Sequence, residues 1–393
     1  MKKSFVCLLG ALALLPNRPA EAWGFFGHRV ITQVAVYELP NSMQAFYYRH
    51  LPELVAQCTA PDERRNDDPT EGPKHFIDMD HYGEDNPFAK MPRQYDQAVE
   101  KYSADTLKKY GTVPWTIMEM KDELTQAFRD KDTVAIVKFS AELSHYLSDA
   151  FVPLHTTINY DGQLTNQKGL HSLWESQLPE KYIGDYKLVG ESASYIKKPL
   201  DAIWEVIIKS YGFLGETFDR ATKLEKTIPP TERFTYSHRY GKTQRRYSDA
   251  FAKAYEKEVG GMVSYRMKGA ATEVASMWLT AWEEAGKPNL DKLMTPAKVS
   301  KEEKEKLSTE LASWKQNNLA QDELLLAQQK VKKVDNPDEI KAAKDIAPLP
   351  AEPAAEPAAE PLAPDNSLPE VMGADKVKMK VKTDKGSSKK KLK

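Results

Sequence analysis

The chain has 393 residues, 41% of them hydrophobic, and its 56 basic and 57 acidic side chains leave a net charge of −1. Charge this close to balance excludes whole-molecule electrostatic capture of nucleic acid or of an anionic membrane. The length allows one large domain or two ordinary ones, with enough apolar content for a sizeable core.

The first predicted element is a leader. Met1, Lys2 and Lys3 precede the apolar run FVCLLGALALL, and PNRPAEA follows with small residues at Ala20 and Ala22. This order predicts a signal peptide over residues 1–22, cleaved between Ala22 and Trp23. The apolar run is too short to span a bilayer as a helix. The expectation is an exported protein, periplasmic or extracellular. Of the two cysteines, Cys7 and Cys58, the first leaves with the leader. The remaining thiol cannot form an internal disulfide, so stability has to come from core size or bound metal.

Residues 23–290 read as mostly helical. HRVITQVAVYEL, DTVAIVKFSAELSHYLSDAF and TEVASMWLTAWEEA carry apolar residues at helical spacing. Strand-like alternation is rare, and no hairpin turn signal separates two β-rich runs. The expectation is an all-α, single multi-helix domain, with long loops around residues 60–95 and 156–170. Residues 291–335 read as a charged helical extension with few large core residues. Residues 336–393 read as a linker, APLPAEPAAEPAAEPLAP, and a Lys-rich disordered tail ending KVKMKVKTDKGSSKKKLK. Such a tail attracts anionic polymers or surfaces, or simply keeps the chain in solution.

The chemistry-bearing residues are grouped. The segment LSHYLSDAFVPLH contains His145, Asp149 and His155, the first two four apart and so on one helix face. Sixteen residues after His155 comes His171, with Glu175 four residues further. One His-x-x-x-acid pair makes an ordinary surface ion pair. Two such pairs with a histidine between them resemble metal-binding spacing on helices. In APDERRNDDPTEGPKHFIDMDHY, Asp62 and His75 are candidate ligands, with Asp67, Asp68, Asp78, Asp80 and His81 competing; composition does not choose among them. Cleavage after Ala22 would give Trp23 a free amine, whose reference pKa of about 7.7–8.0 lets a metal displace its proton near neutral pH. The amine nitrogen and carbonyl oxygen of Trp23 could chelate one ion, with His28 five residues on.

Five motifs then stand in order: Trp23-Gly-x-x-Gly-His28, Pro61-Asp62-x-x-Arg65, His75-Phe76-x-Asp78, His145-x-x-x-Asp149-x-x-x-Pro-Leu-His155 and His171-x-x-Trp174-Glu175. Over residues 23–285 this order resembles the superfamily of zinc-dependent phospholipase C and the single-strand-specific zinc nucleases of fungi and plants. The resemblance implies an all-α domain around a cleft with three zinc ions. One zinc would be held by Asp62, His75, His145 and Asp149. A second would be held by the Trp23 amine and carbonyl, His28 and a bridging Asp149, and the third by His155, His171 and Glu175. Such a site suits phosphodiester hydrolysis by a hydroxide between two zincs about 3.5–4 Å apart. Asp62 would orient the nucleophile and Arg65 would neutralise the phosphate.

The Trp23-to-His28 spacing, the Pro61-Asp62-x-x-Arg65 motif and Trp174 lean toward the nuclease branch. There Phe76 would stack on a base and Asp78 would read its edge, although phospholipases carry a similar segment. Glu175 leans the other way, because nucleases usually have Asp there and phospholipases Glu. RFTYSHRYGKTQRRY interleaves basic and aromatic residues and reads as an exposed basic helix or loop, or as a phosphate-backbone contact. The favoured expectation is an exported zinc phosphodiesterase acting on single-stranded DNA or RNA and on 3′-phosphates of nucleotides. A phospholipase C and a non-catalytic zinc-stabilised binding protein are the alternatives, and no obligate protein partner is expected.

Overall fold

The computed structural model describes residues 23–83, 86–239, 242–295 and 299–333. The expected leader, linker and Lys-rich tail lie outside the described residues. The fold is all-α. Its principal helices are α1 (Gly24–Glu38), α2 (Leu51–Gln57), α3 (Val113–Asp130), α4 (Thr133–Asp149), α5 (Pro199–Gly212), α6 (Leu214–Glu225), α7 (Asp249–Glu284), α8 (Lys301–Lys315) and α9 (Leu326–Lys333). No helix among the described residues is long and apolar enough to cross a membrane.

Side-chain caps start the two helices that organise the core. Asp132 accepts a hydrogen bond from the Ala135 backbone N–H at the start of α4, and Ser248 accepts one from Phe251 at the start of α7. The 36 residues of α7 contain no proline, so nothing interrupts its backbone ladder. Ala270, Ala271 and Ala275 are buried on it, and small residues let neighbouring helices approach closely. The helix packs against α1, α3 and α4. The Trp278 indole donates to the Ser140 carbonyl at 3.0 Å and stacks on Tyr47, locking α7 to α4.

Arg266 joins α7 to the end of α4. Its side chain is buried and donates to the carbonyls of Phe151 (2.8 Å) and Val206 (3.2 Å) and to the Ser210 hydroxyl. Burial lowers its pKa to about 9. Replacing Arg266 with Ala would orphan buried acceptors and open a cavity. The Arg266→Ala variant is expected to lose about 2–4 kcal/mol of stability, measured as a shift in the denaturant midpoint.

Two expectations are corrected. The basic-aromatic stretch is neither helix nor loop: Phe234–Arg239 and Lys242–Tyr247 pair as antiparallel strands β1 and β2, with Phe234 opposite Tyr247 and Tyr236 opposite Arg245. High charge hid the alternation there. Tyr247 is buried against Phe234 and Phe251, and that apolar contact holds the hairpin to the body. Within residues 60–95, short helical turns at Ala60–Arg64, Gly72–His75, Met79–Tyr82 and Pro87–Lys90 replace the expected loop. In the C-terminal extension, Trp314, Leu319 and Leu325 are buried. A capping box between Ser300 and Glu303 starts α8. Tyr37 of α1 donates to Glu310 at 2.7 Å, and Gln33 of α1 exchanges hydrogen bonds with Leu324 and Leu326. Apart from the buried Glu310, charge in this segment faces solvent, while its few apolar residues cover α1.

Candidate metal centre

The first turn of α1 explains its own motif. Trp23 is fully buried, packs at 5.0 Å on Trp174 and donates its indole N–H to the Ser148 carbonyl at 2.6 Å. A Cβ on Gly24, which has φ +20°, would lie 2.4 Å from the Ser176 hydroxyl. One on Gly27 would lie 3.2 Å from the Trp23 ring. Gly24 therefore allows close approach of the chain to the segment carrying Glu175, and Gly27 leaves room for the Trp23 ring. His28 then projects toward α4 and stacks on His145 with ring centroids 3.9 Å apart.

On α4, His145 and Asp149 share a face, as the four-residue spacing predicts. The two carboxylate oxygens of Asp149 look in different directions. Oδ1 lies 3.3 Å from His28 Nε2, and Oδ2 lies 3.0 Å from His75 Nδ1 and 3.4 Å from His145 Nε2. Asp62, from the short helix Ala60–Arg64, brings Oδ1 to 3.8 Å from both His75 and His145. Beyond the end of α4, His155 and His171 meet edge to face at 4.9 Å. Glu175 Oε2 lies 2.9 Å from His171 Nε2 and 3.6 Å from His155 Nε2. A π-helical turn over Leu173–Gln177 carries Glu175, a local distortion common at functional sites. The Trp23 backbone nitrogen also sits against this carboxylate, 2.7 Å from Oε2.

Three buried groups result: His28, His145 and Asp149; Asp62, His75 and His145; and His155, His171 and Glu175. Within each, the candidate ligand atoms all lie within 4.8 Å of one another. Hydrogen bonds outside the groups set the tautomers. His145 Nδ1 donates to the Cys58 carbonyl at 2.7 Å and His155 Nδ1 to the His75 carbonyl at 2.6 Å. The Ser148 hydroxyl donates to the His145 carbonyl, so it accepts from His28 Nδ1 at 2.9 Å. In all three rings the Nε2 lone pair therefore points inward, at other lone pairs and carboxylates. His28 Nε2, Asp62 Oδ2, Asp149 Oδ1, His155 Nε2, His171 Nε2 and Glu175 Oε1 are buried without a hydrogen-bond partner. Native proteins rarely leave such atoms unsatisfied. Converging nitrogen and oxygen lone pairs are what a zinc-type cation satisfies, so the residues fit a metal centre.

The electrostatics follow from burial. Burial raises the Asp62 carboxyl, opposed by His75 and His28. Burial also opposes ionisation of Asp149, but the histidines packed around it outweigh burial and hold that carboxyl well below its ordinary range. Burial and the neighbouring His28 keep His145 neutral, the form that ligates metal. Burial pushes His171 down to about 4 and Glu175 up to about 8.

The other candidates divide. Arg65 reaches Asp62 Oδ1 at 3.3 Å with a side chain only 12% exposed. Phe76 is half-buried and Asp78 buried; burial and Asp80 raise the Asp78 carboxyl to about 8. Asp67, Asp68, Asp80 and His81 join none of the three groups. Asp68 caps Thr70, and Asp80 accepts hydrogen bonds from Thr157 and Ile158. Sequence reasoning missed Glu71. Its buried carboxylate lies 3.5 Å from His75 Nε2 and is held by Tyr146, Lys74 and Arg64. The available signal was another acid four residues from a histidine.

The family model described as S1/P1 nuclease matches residues 23–282. The chain belongs to the S1/P1 nuclease family. The comparison with curated proteins found no match. Membership makes the chain a hydrolase of phosphodiester bonds, and zinc is the metal the family implies. The match ends within α7, so α8 and α9, which cover α1, lie beyond it.

Proposed function

We propose that the chain is an exported nuclease using three zinc ions to hydrolyse single-stranded DNA or RNA, and 3′-phosphates of nucleotides. The observation that carries this reading is Asp149, whose two oxygens face two different ligand groups, with Arg65 beside them. One zinc would be held by Asp62, His75, His145 and Asp149, a second by Trp23, His28 and Asp149, and a third by His155, His171 and Glu175. When bound, zinc supplies Lewis-acid polarisation of phosphoryl oxygens and lowers the pKa of water toward neutrality.

The chain's own groups supply the rest. Asp62 keeps Oδ2 free of any protein partner, available to accept a hydrogen bond from the attacking water and orient it toward phosphorus. Arg65 presents a guanidinium whose Nε is buried without a partner, suited to a paired contact with phosphate oxygens. Phe76 would stack on a base. Asp78, raised to about 8, would be largely protonated at neutral pH and could both donate and accept at a base edge.

Glu175 favours a second reading, phospholipase C, because it is the carboxylate of that branch. Zinc-loaded protein beginning at Trp23 separates the two. It would be given single-stranded DNA, RNA and phosphatidylcholine micelles in parallel, with His145→Ala as control. Release of nucleotides without diacylglycerol is expected; diacylglycerol alone would overturn the nuclease reading. The phosphate role of Arg65 predicts that Arg65→Ala lowers kcat/KM by about 10- to 100-fold while metal analysis finds the zinc content unchanged.

A further inference from the structure

His75 differs from the other histidines of the centre in the nitrogen it turns inward. Its Nδ1 lies 3.0 Å from Asp149 Oδ2, 3.0 Å from His145 Nε2 and 3.8 Å from Asp62 Oδ1. In His28, His145, His155 and His171 the inward atom is Nε2. A neutral imidazole carries one N–H, so a ring that ligates through Nδ1 carries its proton on Nε2. His75 Nε2 is buried without a hydrogen-bond partner. The acid it faces is Glu71, whose Oε1 lies 3.5 Å away. A small rotation of either side chain closes that gap to a full hydrogen bond.

Glu71 is held for this contact. Both it and His75 are buried, and the 3-10 turn Gly72–His75 joins them with Pro73 at its start. The Thr112 N–H donates to the Pro73 carbonyl at 2.7 Å and the Val113 N–H to the Phe76 carbonyl at 3.2 Å, tying the turn to the start of α3. Tyr146 donates to Glu71 Oε1, while Lys74 (3.1 Å) and Arg64 (3.4 Å) donate to Oε2. Arg64 also donates to Glu142 at 2.9 Å and to the Tyr146 hydroxyl at 3.1 Å. Glu142 and Tyr146 lie one turn apart on α4, the helix that carries His145 and Asp149. One oxygen of Glu71 therefore takes the two cations, and the other is set between Tyr146 and the outer edge of the His75 ring.

We propose that Glu71 is a positioning residue of the metal centre, accepting the Nε2 proton of His75 and so holding that ring as an Nδ1 ligand beside Asp62 and His145. A carboxylate behind a histidine ligand fixes its tautomer and orientation and raises its basicity. The proposal rests on the zinc centre of the reading above and extends it to a residue outside the three ligand groups.

The test measures zinc affinity, by competition with a colorimetric chelator, for wild-type protein, Glu71→Gln and Lys74→Met. Glu71→Gln keeps the shape and removes the charge that accepts from His75. Lys74→Met removes an ion pair of the same carboxylate and leaves its contact with His75. Melting temperatures of the metal-free proteins report the fold alone. Histidine nitrogen NMR of the zinc-loaded proteins reports which ring nitrogen carries the proton. Glu71→Gln is expected to bind one zinc ion about 10- to 100-fold more weakly, and Lys74→Met to bind zinc as the wild type does. The His75 Nε2 proton is expected to exchange with water faster in Glu71→Gln than in the wild type. Wild-type zinc affinity in Glu71→Gln would overturn the proposal. So would equal weakening in both variants with equal falls in melting temperature, because Glu71 would then act only through the fold. A wild type whose His75 proton sits on Nδ1 would overturn it too. None of these readouts is catalysis, so the proposal is decided whether or not the wild type cuts a single-stranded oligonucleotide, the result that decides the nuclease reading.

Discussion

Protein carrying Asp149→Ala is expected to retain about one zinc ion and to lose activity on single-stranded nucleic acid by on the order of a thousandfold or more. Removing a single electrostatic donor from an active site costs roughly 100- to 1000-fold, and this substitution disturbs two metal positions at once. The reason lies in the split of the carboxylate, with Oδ1 turned to His28 and Oδ2 to His75 and His145. Without Asp149, the remaining histidines of both groups would bring neutral nitrogens together with one carboxylate fewer to balance the added charge. Metal analysis after dialysis against a weak chelator measures the loss. His50→Ala is the control, since His50 pairs with Glu53 away from the centre and should keep full zinc and activity. An Asp149→Ala protein that keeps every zinc ion would end the bridging role.

Extra residues ahead of Trp23 are expected to lower activity by about 100-fold and to reduce the zinc bound, with recovery when a protease removes them. An added residue turns the α-amine into an amide, which ligates metal poorly because its nitrogen has no free lone pair. The burial of Trp23 and its packing on Trp174 leave little freedom to compensate. Its nitrogen already lies against Glu175, so the amine would emerge between the two ends of the centre. The comparison needs one preparation, assayed before and after cleavage. Equal activity in the two states would exclude the amine as a ligand.

The helices were legible because their cause is local. Apolar residues at helical spacing mark α1, α4 and the last part of α7, and the structure buries those stretches on nearly every face. The β1–β2 hairpin was not legible. Its stability comes from Tyr247 packing against Phe234 and Phe251, not from a strongly alternating pattern. The C-terminal extension was read as having little core for a similar reason. Trp314 is one buried aromatic in a charged helix, and only its packing on Tyr37 reveals what it covers.

By itself, the sequence determined the donor types, their order along the chain and the pairs that share a helix face, His145 with Asp149 and His171 with Glu175. Those are properties of residue chemistry and of a repeat of 3.6 residues per turn. It also carried the family, through five motifs in order. The tertiary structure decided which acids of the crowded 62–81 segment join the centre: Asp62 enters, while Asp80 is spent on the backbone around Thr157. It also decided which imidazole nitrogen faces inward, through the Cys58 and His75 carbonyls and the Ser148 hydroxyl. The contact of Glu71 with His75 arises in the same way. A spacing rule reaches one turn along a helix, whereas these partners meet only when segments far apart in the chain pack around a shared, desolvated centre.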